Sequence, residues 1–339
     1  MLSVSVVIPT YNRAHLIQRA VRSALANIVP GDEILVVDDA STDRTAEVVD
    51  AFGPPVRLVR AEHGGAGKAR NRGIQEARGD LVAFLDSDDE WFPDKLQLQR
   101  AFFERRPDVL YSFGDFRSKE DSGVEEACFL HHWHKDSRSW DEILAPGMHY
   151  STIAPLPPDR ADFRVHVGNM FLNELWSDYV ATTTVVVRRL EAGDALSFAE
   201  DLPTSEDKEC FAKLAGRGLG AYFDTELSVQ WGHTGPRLTD TMTDVLVACR
   251  LKLFERIWER DAAFMARHGE ELRKARVAQH LKRAKWLLRR GRMEEARADL
   301  RAAGVSPLRF RLLAAIPGPV ARRALAIGRF LKSHTITAS

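Results

Sequence analysis

The sequence predicts an α/β fold, a mostly parallel central sheet flanked by helices, with a helical C-terminal module behind it. Over the first 115 residues short β-branched runs alternate with helical patterns, polar residues follow the end of each run, and beyond Thr239 the chain turns helical and basic. Strand and helix alternating at this spacing describe a parallel sheet covered on both faces. In such sheets ligands bind beyond the carboxyl ends of the strands, so the polar residues there are the first place to look for function.

Ser3–Pro9 (SVSVVIP) reads as the first buried strand, Glu33–Asp38 (EILVVD) as the second and Val56–Arg60 (VRLVR) as the third. Leu81–Leu85 (LVAFL) is the fourth and ends abruptly in acids. Helical patterns occupy Ala14–Ala26, Thr42–Ala51, Gly67–Ala77 and Pro93–Arg105, with Ser41 or Thr42 expected to cap the second and Asp43 in its acidic first turn. From Lys119 to Asp178 the pattern blurs, with Pro155, Pro157, Pro158 and many aromatics and histidines, and the segment reads as irregular. Val180–Arg188 is a further strand, and a helix runs from about Ser205 to Arg217. Beyond it, Gly291, Pro307, Pro317 and Pro319 separate helical segments. The expected division is a domain over 1–240 and a basic helical module over 241–339.

Composition narrows the function classes. The 339 residues are 45% hydrophobic and 28% charged, which excludes wholesale disorder. The net charge of zero hides an asymmetry: residues 250–339 hold 22 basic and 8 acidic residues, and the first 249 hold 26 and 40. The acidic larger part argues against nucleic acid as a partner. Cys128, Cys210 and Cys249 are odd in number and widely spaced, which indicates neither a disulfide framework nor a zinc finger and suits a reducing cytoplasm. No basic n-region precedes the first strand, so no signal peptide is expected, and no run reaches the ~18 apolar residues of a membrane span.

Four features at strand ends carry chemistry. Asp86-Ser87-Asp88-Asp89-Glu90 sets four carboxylates in five residues. These repel one another unless a cation sits among them, and an oxygen donor set of this kind suits Mg²⁺ or Mn²⁺; a solvated acidic turn is the plain alternative. Pro9-Thr10-Tyr11-Asn12-Arg13 and Asp38-Asp39 end the first two strands, so one crevice collects an aromatic plate, a basic group and carboxylates. Taken singly, Tyr11 reads equally as a packing residue and Asp39 as a helix-capping acid. His63-Gly64-Gly65-Ala66-Gly67-Lys68-Ala69-Arg70-Asn71 is a glycine-rich turn opening a helix, whose amides can face an anion; it is neither a P-loop nor GxGxxG.

Together VSVVIPTYNR, ILVVDDASTD, GKARNRGI and LVAFLDSDD resemble, in order and spacing, the nucleotide-sugar-binding domain of the family 2 glycosyltransferases, the inverting GT-A-fold class. The resemblance covers residues 3–117 and, more loosely, 180–240. It implies a GT-A fold and transfer of a sugar from a nucleotide diphosphate donor, a UDP-sugar, to a saccharide or lipid-linked acceptor with Mn²⁺ or Mg²⁺ as cofactor. Residue by residue, it implies that Pro9, Tyr11 and Arg13 line the base and diphosphate, that Asp39 bonds the nucleobase, and that Lys68 and Arg70 lie on the nucleotide side. Asp86 and Ser87 then face the ribose and sugar, and Asp88, the last acid of the DxD motif, holds the cation. Thr204-Ser205-Glu206-Asp207 resembles the family's Glu-Asp motif, which makes Asp207 the general base and Glu206 its orienting partner; a helix dipole complemented by two acids is the simpler reading. Trp231-Gly232-His233 resembles the aromatic–x–His segment, in which His233 joins the metal or diphosphate, and a role for Arg237 stays open. His131-His132-Trp133-His134 reads as an acceptor-side loop rather than a metal site, since adjacent histidines converge poorly on one ion. Trp140, Trp176 and Tyr179 read either as core or as stacking surfaces for an acceptor sugar.

The basic segment Leu308–Leu331 mixes apolar residues with arginine. It fits a peripheral position on an anionic membrane, at the inner face of the cell membrane, or packing on the acidic domain or on a second copy of the chain. Two rival functions remain at this level: a nucleotide-binding module without catalysis, and a sugar nucleotidyltransferase, which would want a glycine-rich signature directly after the first strand.

Overall fold

In the computed structural model, which describes residues 1–120, 122–232 and 243–304, the chain forms two compact units. Among the described residues the first comprises 1–120, 122–202 and 206–232, the second 203–205 and 243–304.

The first unit is built on one sheet. Its strands are β1 (Val4–Thr10), β2 (Glu33–Asp38), β3 (Val56–Arg60), β4 (Leu81–Phe84), β5 (Glu90–Trp91), β6 (Val109–Lys119), β7 (Glu125–Glu126), β8 (Met148–His149), β9 (Arg164–Gly168), β10 (Val186–Arg188) and β11 (Leu219–Trp231). They lie in the order β3-β2-β1-β4-β10-β6-β11-β9-β8, with β5 added to β11 and β7 to β6. The β3-β2-β1-β4 part is parallel, as is the β6–β11 pair, whereas β10 and β9 run antiparallel to their neighbours. The helices are α1 (Ile17–Leu25), α2 (Thr45–Asp50), α3 (Gly65–Glu76), α4 (Lys95–Arg105), the short α5 (Leu130–His134), α6 (Trp140–Ile143) and α7 (Arg189–Ala192), and α8 (Glu206–Arg217).

The alternation of strand side chains sorts the core into two layers. Val4, Val6 and Ile8 of β1 pack with Ile34 and Val36 of β2 on one face, covered by Ile17, Ala20, Val21 and Ala24 of α1 and by Leu96, Phe102 and Phe103 of α4. Val7, Leu35 and Val37 face the other way, under Ala69 of α3 and Cys210, Phe211 and Leu214 of α8. Burial on both faces is why these strands read as unbroken apolar runs.

Several sequence-based boundaries need correction. The helix expected from Thr42 begins at Thr45, and neither Ser41 nor Thr42 caps it. Asp43 instead accepts from the Thr45 amide at 2.9 Å, while the Ser41 hydroxyl accepts from the Asn12 amide at 2.9 Å. The strand expected over Val180–Arg188 survives only as β10, because Thr182–Thr184 turn into a 3₁₀ helix. Nor is 119–178 wholly irregular: β9 pairs with β11 from Val165↔Phe223 to Gly168↔Gly220.

In the second unit α9 (Thr243–Leu253) leads through a π-helical turn, Phe254–Trp258, to α10 (Ala262–Arg289) and α11 (Met293–Ala302). Gly291, at φ 73°, makes the turn into α11. Leu287, Leu288, Met293 and Ala296 form its small core, and the buried Asp299 lies 2.9 Å from His280 Nδ1. Among the described residues no helix is long and apolar enough to cross a membrane. The segment Leu308–Leu331 lies outside the described residues.

Candidate active site

The strand ends gather most of the expected residues into two adjoining groups. The first is centred on Arg70, on the second turn of α3 and only 5% exposed. Its guanidinium donates to Asp86 Oδ1 at 2.8 Å and to Glu206 Oε1 at 3.0 Å, and lies 5.1 Å from the centre of the Phe198 ring. One planar fork on Arg70 thus ties the acid after β4 to the acid that opens α8, the latter 136 positions from Arg70 in sequence. Burial works against the Arg70 charge, yet the attraction of Asp86 and then Glu206 holds it firmly protonated.

Gly67, one turn before Arg70, makes this approach sterically feasible. A Cβ at Gly67 would stand 2.6 Å from the Ala199 carbonyl oxygen and 3.3 Å from Glu206 Cγ. Gly67→Ala is therefore expected to push α3 from the Ala199–Glu206 segment and to destabilise the fold by about 1–3 kcal/mol, read as a lower midpoint in urea unfolding with unchanged m.

Asp207, beside Glu206 in the first turn of α8, accepts from the Lys208 amide at 2.7 Å and from the Thr182 hydroxyl at 3.4 Å. Burial first, then the charges of Glu206 and Asp178, push its carboxyl up to about 7, against the pull of Arg70. A carboxyl at this level takes a proton near neutral pH, as a general base requires. The 3₁₀ turn that carries Thr182 is pinned from behind, where Trp91 Nε1 donates to the Thr183 carbonyl at 2.7 Å. The buried Lys208 amine meanwhile lies 3.2 Å from Glu174 and 3.1 Å from Asp178.

The acid run forms the rim between β4 and β5. Asp86 is held above the usual carboxylate range by burial, opposed by Arg70 and reinforced by Asp88. Asp89 is raised much further by its burial and by the charges of Asp88 and Asp86, although its Oδ1 accepts from the Trp231 amide at 3.1 Å. The register shifts of β11 between Phe223 and Ser228 carry its last residues against β5, which is how Trp231 reaches this rim. Ser87 is buried between Asp86 and Asp88. Carboxylates that raise one another in this way fit a hard divalent cation held by one or two of them and by substrate phosphates. Among the described residues no three His, Cys, Asp or Glu side chains are arranged to hold a metal by themselves. His233 and Arg237 lie outside the described residues.

The second group lies at the ends of β1 and β2. Asp39 is buried, and its two oxygens accept from the Gly64 and Gly65 amides at 2.8 and 2.9 Å. The glycine turn at the start of α3 therefore does receive an anion, the chain's own Asp39. Tyr11, 43% exposed, packs its ring 4.6 Å from that of His63, whose Nδ1 lies 3.0 Å from Asp39 Oδ2. Pro9 is buried within β1, and the Arg13 amide donates to Thr45 Oγ1 at 3.0 Å, which fixes the turn behind Tyr11. Lys68 is set apart, its amine 3.9 Å from Glu62.

The aromatic and histidine candidates of 131–179 divide. Tyr179 is fully buried and Trp140 stacks on Tyr222 at 3.7 Å, so both are core, whereas Trp176 is exposed. His134 packs on Trp140 and Tyr179, and burial drives its imidazole down to about 4. His63, Thr182 and Asp178 join the site without having been singled out. Only His63 had a signal, its place at the head of the glycine turn.

Residues 5–151 match the model of glycosyl transferase family 2. The putative teichuronic acid biosynthesis glycosyltransferase TuaG of Bacillus subtilis is 34% identical over 145 residues, 42% of this chain and 56% of that protein. The UDP-Glc:alpha-D-GlcNAc-diphosphoundecaprenol beta-1,3-glucosyltransferase WfgD of Escherichia coli is 34% identical over 115 residues, 33% of this chain and 45% of its own length. The chain thus spans about half the length of these two curated relatives. Among solved structures, S. aureus TarS 1–349 in complex with UDP-GlcNAc superposes with a TM-score of 0.54 at 18% identity, over 88% of each chain. Mannosyltransferase PcManGT from Pyrobaculum calidifontis, in complex with GDP-Man and Mn²⁺, does so with a TM-score of 0.51 at 18% identity, over 95% of this chain and 84% of its own. These likenesses bear out the expected GT-A fold, and over residues 5–151 the chain matches glycosyltransferase family 2.

Proposed function

We propose that the chain transfers a sugar from a nucleotide diphosphate donor, a UDP-sugar, to a hydroxyl of a saccharide or lipid-linked acceptor, with inversion at the anomeric carbon, in surface polysaccharide or glycoconjugate synthesis. The observation that carries this reading is the Arg70 bridge, which sets the donor-side Asp86 and the Glu206–Asp207 pair around one guanidinium. The names of the relatives lend support: WfgD is named for a UDP-Glc donor and a diphosphoundecaprenol-linked acceptor, and TarS and PcManGT were crystallised with UDP-GlcNAc and with GDP-Man and Mn²⁺.

In this reading Asp207 takes the proton of the acceptor hydroxyl as that oxygen attacks the anomeric carbon from the face opposite the diphosphate. One displacement then suffices and gives a β-linked product from an α-linked donor. Glu206 and Arg70 hold Asp207 in place while Thr182 and the Lys208 amide orient its oxygens. Asp88 would hold Mn²⁺ or Mg²⁺, which when bound neutralises charge on the departing diphosphate, while Asp86, held by Arg70, faces the ribose and sugar. Tyr11, with Asp39 and the glycine turn beneath it, offers the aromatic surface for the base, and Arg13, Pro9, Ser87 and Lys68 complete the donor side. His233 is proposed as an additional metal or diphosphate contact.

A thermal-shift panel of UDP, GDP, dTDP and CDP with and without Mn²⁺ tests the donor side. UDP at a hundred times its Kd is expected to stabilise the fold by about 2.7 kcal/mol by mass action, more with Mn²⁺ than without, and Asp88→Ala is expected to abolish the Mn²⁺ increment. No shift with any of the four would overturn the donor assignment. A shift with UDP but no turnover of any UDP-sugar would favour a binding module without catalysis.

A further inference from the structure

A cleft of about 750 Å³ runs along α1, walled by residues 90–93 and the ends of β6 and β11. Its charged walls are four cations, Arg19, Arg22, Arg117 and Lys119, against two carboxylates, Glu90 and Glu125. This runs counter to the surroundings, because the first 249 residues hold 26 basic and 40 acidic residues. A cationic hollow in an acidic domain concentrates anions locally.

The way the cations are held points to a ligand. Arg117 is matched by Glu226 at 2.6 Å and Lys119 by Glu125 at 3.4 Å. Arg19 and Arg22 are not: among the described residues neither lies within ion-pair distance of a carboxylate, and the Arg22 guanidinium reaches only Gln18 Oε1, at 3.3 Å. Arg19 donates through Nη2 to the Asp88 carbonyl and lies 4.3 Å from the centre of the Trp231 ring, with Lys119 Nζ 4.7 Å from the same ring. Its Nε is buried with no hydrogen-bond acceptor among the described residues. Arg19 acts at longer range on the buried Asp89, but no carboxylate among the described residues reaches it, and a buried guanidinium N–H without a partner is a donor awaiting an oxygen. Glu90 is occupied in part by Trp231 Nε1, 3.3 Å away.

The cleft also adjoins the proposed reaction centre. Arg19 holds the backbone of Asp88 and the Trp231 amide holds the carboxylate of Asp89, so its inner wall is the acid rim itself. We infer that this cleft binds a phosphate ester carried by the acceptor, with Arg19, Arg22 and Lys119 as its ligands, and so selects phosphate-bearing acceptors over neutral ones. The inference rests on the donor and acceptor reading above. The phosphate comes either from a soluble phosphosaccharide or from a lipid headgroup, and recognition by cations is the same for both.

The test uses the full chain with UDP and Mn²⁺ held saturating, so that the donor site is filled. Glucose 1-phosphate is titrated calorimetrically, and phosphatidylcholine vesicles with and without phosphatidylglycerol are tested by co-sedimentation. Wild type is compared with the double variant Arg22→Glu, Lys119→Glu. At least one probe is expected to bind wild type and to bind the variant about tenfold more weakly or worse, with UDP affinity changed less than twofold. Binding of glucose 1-phosphate assigns the phosphate to a soluble acceptor, and binding of anionic vesicles alone assigns it to a lipid. Equal binding of both probes by wild type and variant, no binding of either, or displacement of glucose 1-phosphate by UDP overturns the inference. Failure of UDP itself to bind wild type strikes the donor reading instead.

Discussion

Asp207→Asn is expected to lower kcat by about 10²–10⁴-fold while leaving donor affinity nearly intact and making the protein more stable at alkaline pH. The first effect follows from removing the carboxylate proposed to take the proton of the acceptor hydroxyl. The second follows from the carboxyl standing at about 7, against a usual value of 3.8, chiefly through burial and then the Glu206 and Asp178 charges. A carboxyl with a raised folded-state value binds its proton more tightly in the native state than in the unfolded chain. Stability is therefore lost as pH rises from about 4 to about 7, and the cost persists above that. Asparagine escapes it, with a gain on the order of 2 kcal/mol at pH 8. The gain should be smaller at pH 5, where only part of the cost has accrued, and should vanish only below about pH 4, where the carboxyl is protonated in both states. Urea denaturation of both proteins at pH 5 and pH 8 measures this directly, and a gain independent of pH would exclude titration of Asp207 as its source. Wild-type kcat/KM should accordingly fall about tenfold per unit below pH 7.

Arg70→Met is expected to cost about 3–5 kcal/mol at neutral pH, the range for removing one partner of a buried ion pair. The methionine fills much of the space against Phe198, so the loss isolates the charge: Asp86 and Glu206 are left facing each other, with Asp207 beside them and no cation between. These acids recover by taking up protons, so the deficit should shrink as the pH is lowered towards 4. Arg70→Lys restores the charge but cannot span both the 2.8 and 3.0 Å contacts as a planar fork. It is expected to recover stability more fully than activity. Equal loss of both in the lysine variant would mean that the fork geometry matters to the fold alone.

The elements visible in the sequence are those whose physics is local. β1, β2 and β4 are buried on both faces and had to be written as unbroken apolar runs, and the spacing of Ile17, Ala20, Val21 and Ala24 is that of a helix face. β9 was hidden because Arg164 and His166 interrupt its valines, and β5, β7 and β8 because two residues carry no period. The shortening of β10 reflects the Trp91 bond to Thr183, made across 92 positions. The site divides in the same way. Asp86, Glu206, Asp207 and Arg70 were legible as residues in motifs, but the convergence of the three acids on the Arg70 guanidinium was not. Asp39 shows the gap most clearly: read as a partner for a base, its carboxylate is engaged by the amides of Gly64 and Gly65. Thr182 and Asp178 reach Asp207 from outside any motif, through the fold alone.

The central claim is a single displacement with Asp207 as base, and it can be tested without knowing the acceptor, because water can replace the hydroxyl. Proton NMR of α-linked UDP-hexoses incubated with the protein and Mn²⁺, recorded faster than mutarotation, reports the anomer of the first free sugar released. The account predicts the β anomer, formed by wild type and suppressed in Asp207→Asn. Release of the α anomer, or unchanged release by the variant, would contradict it.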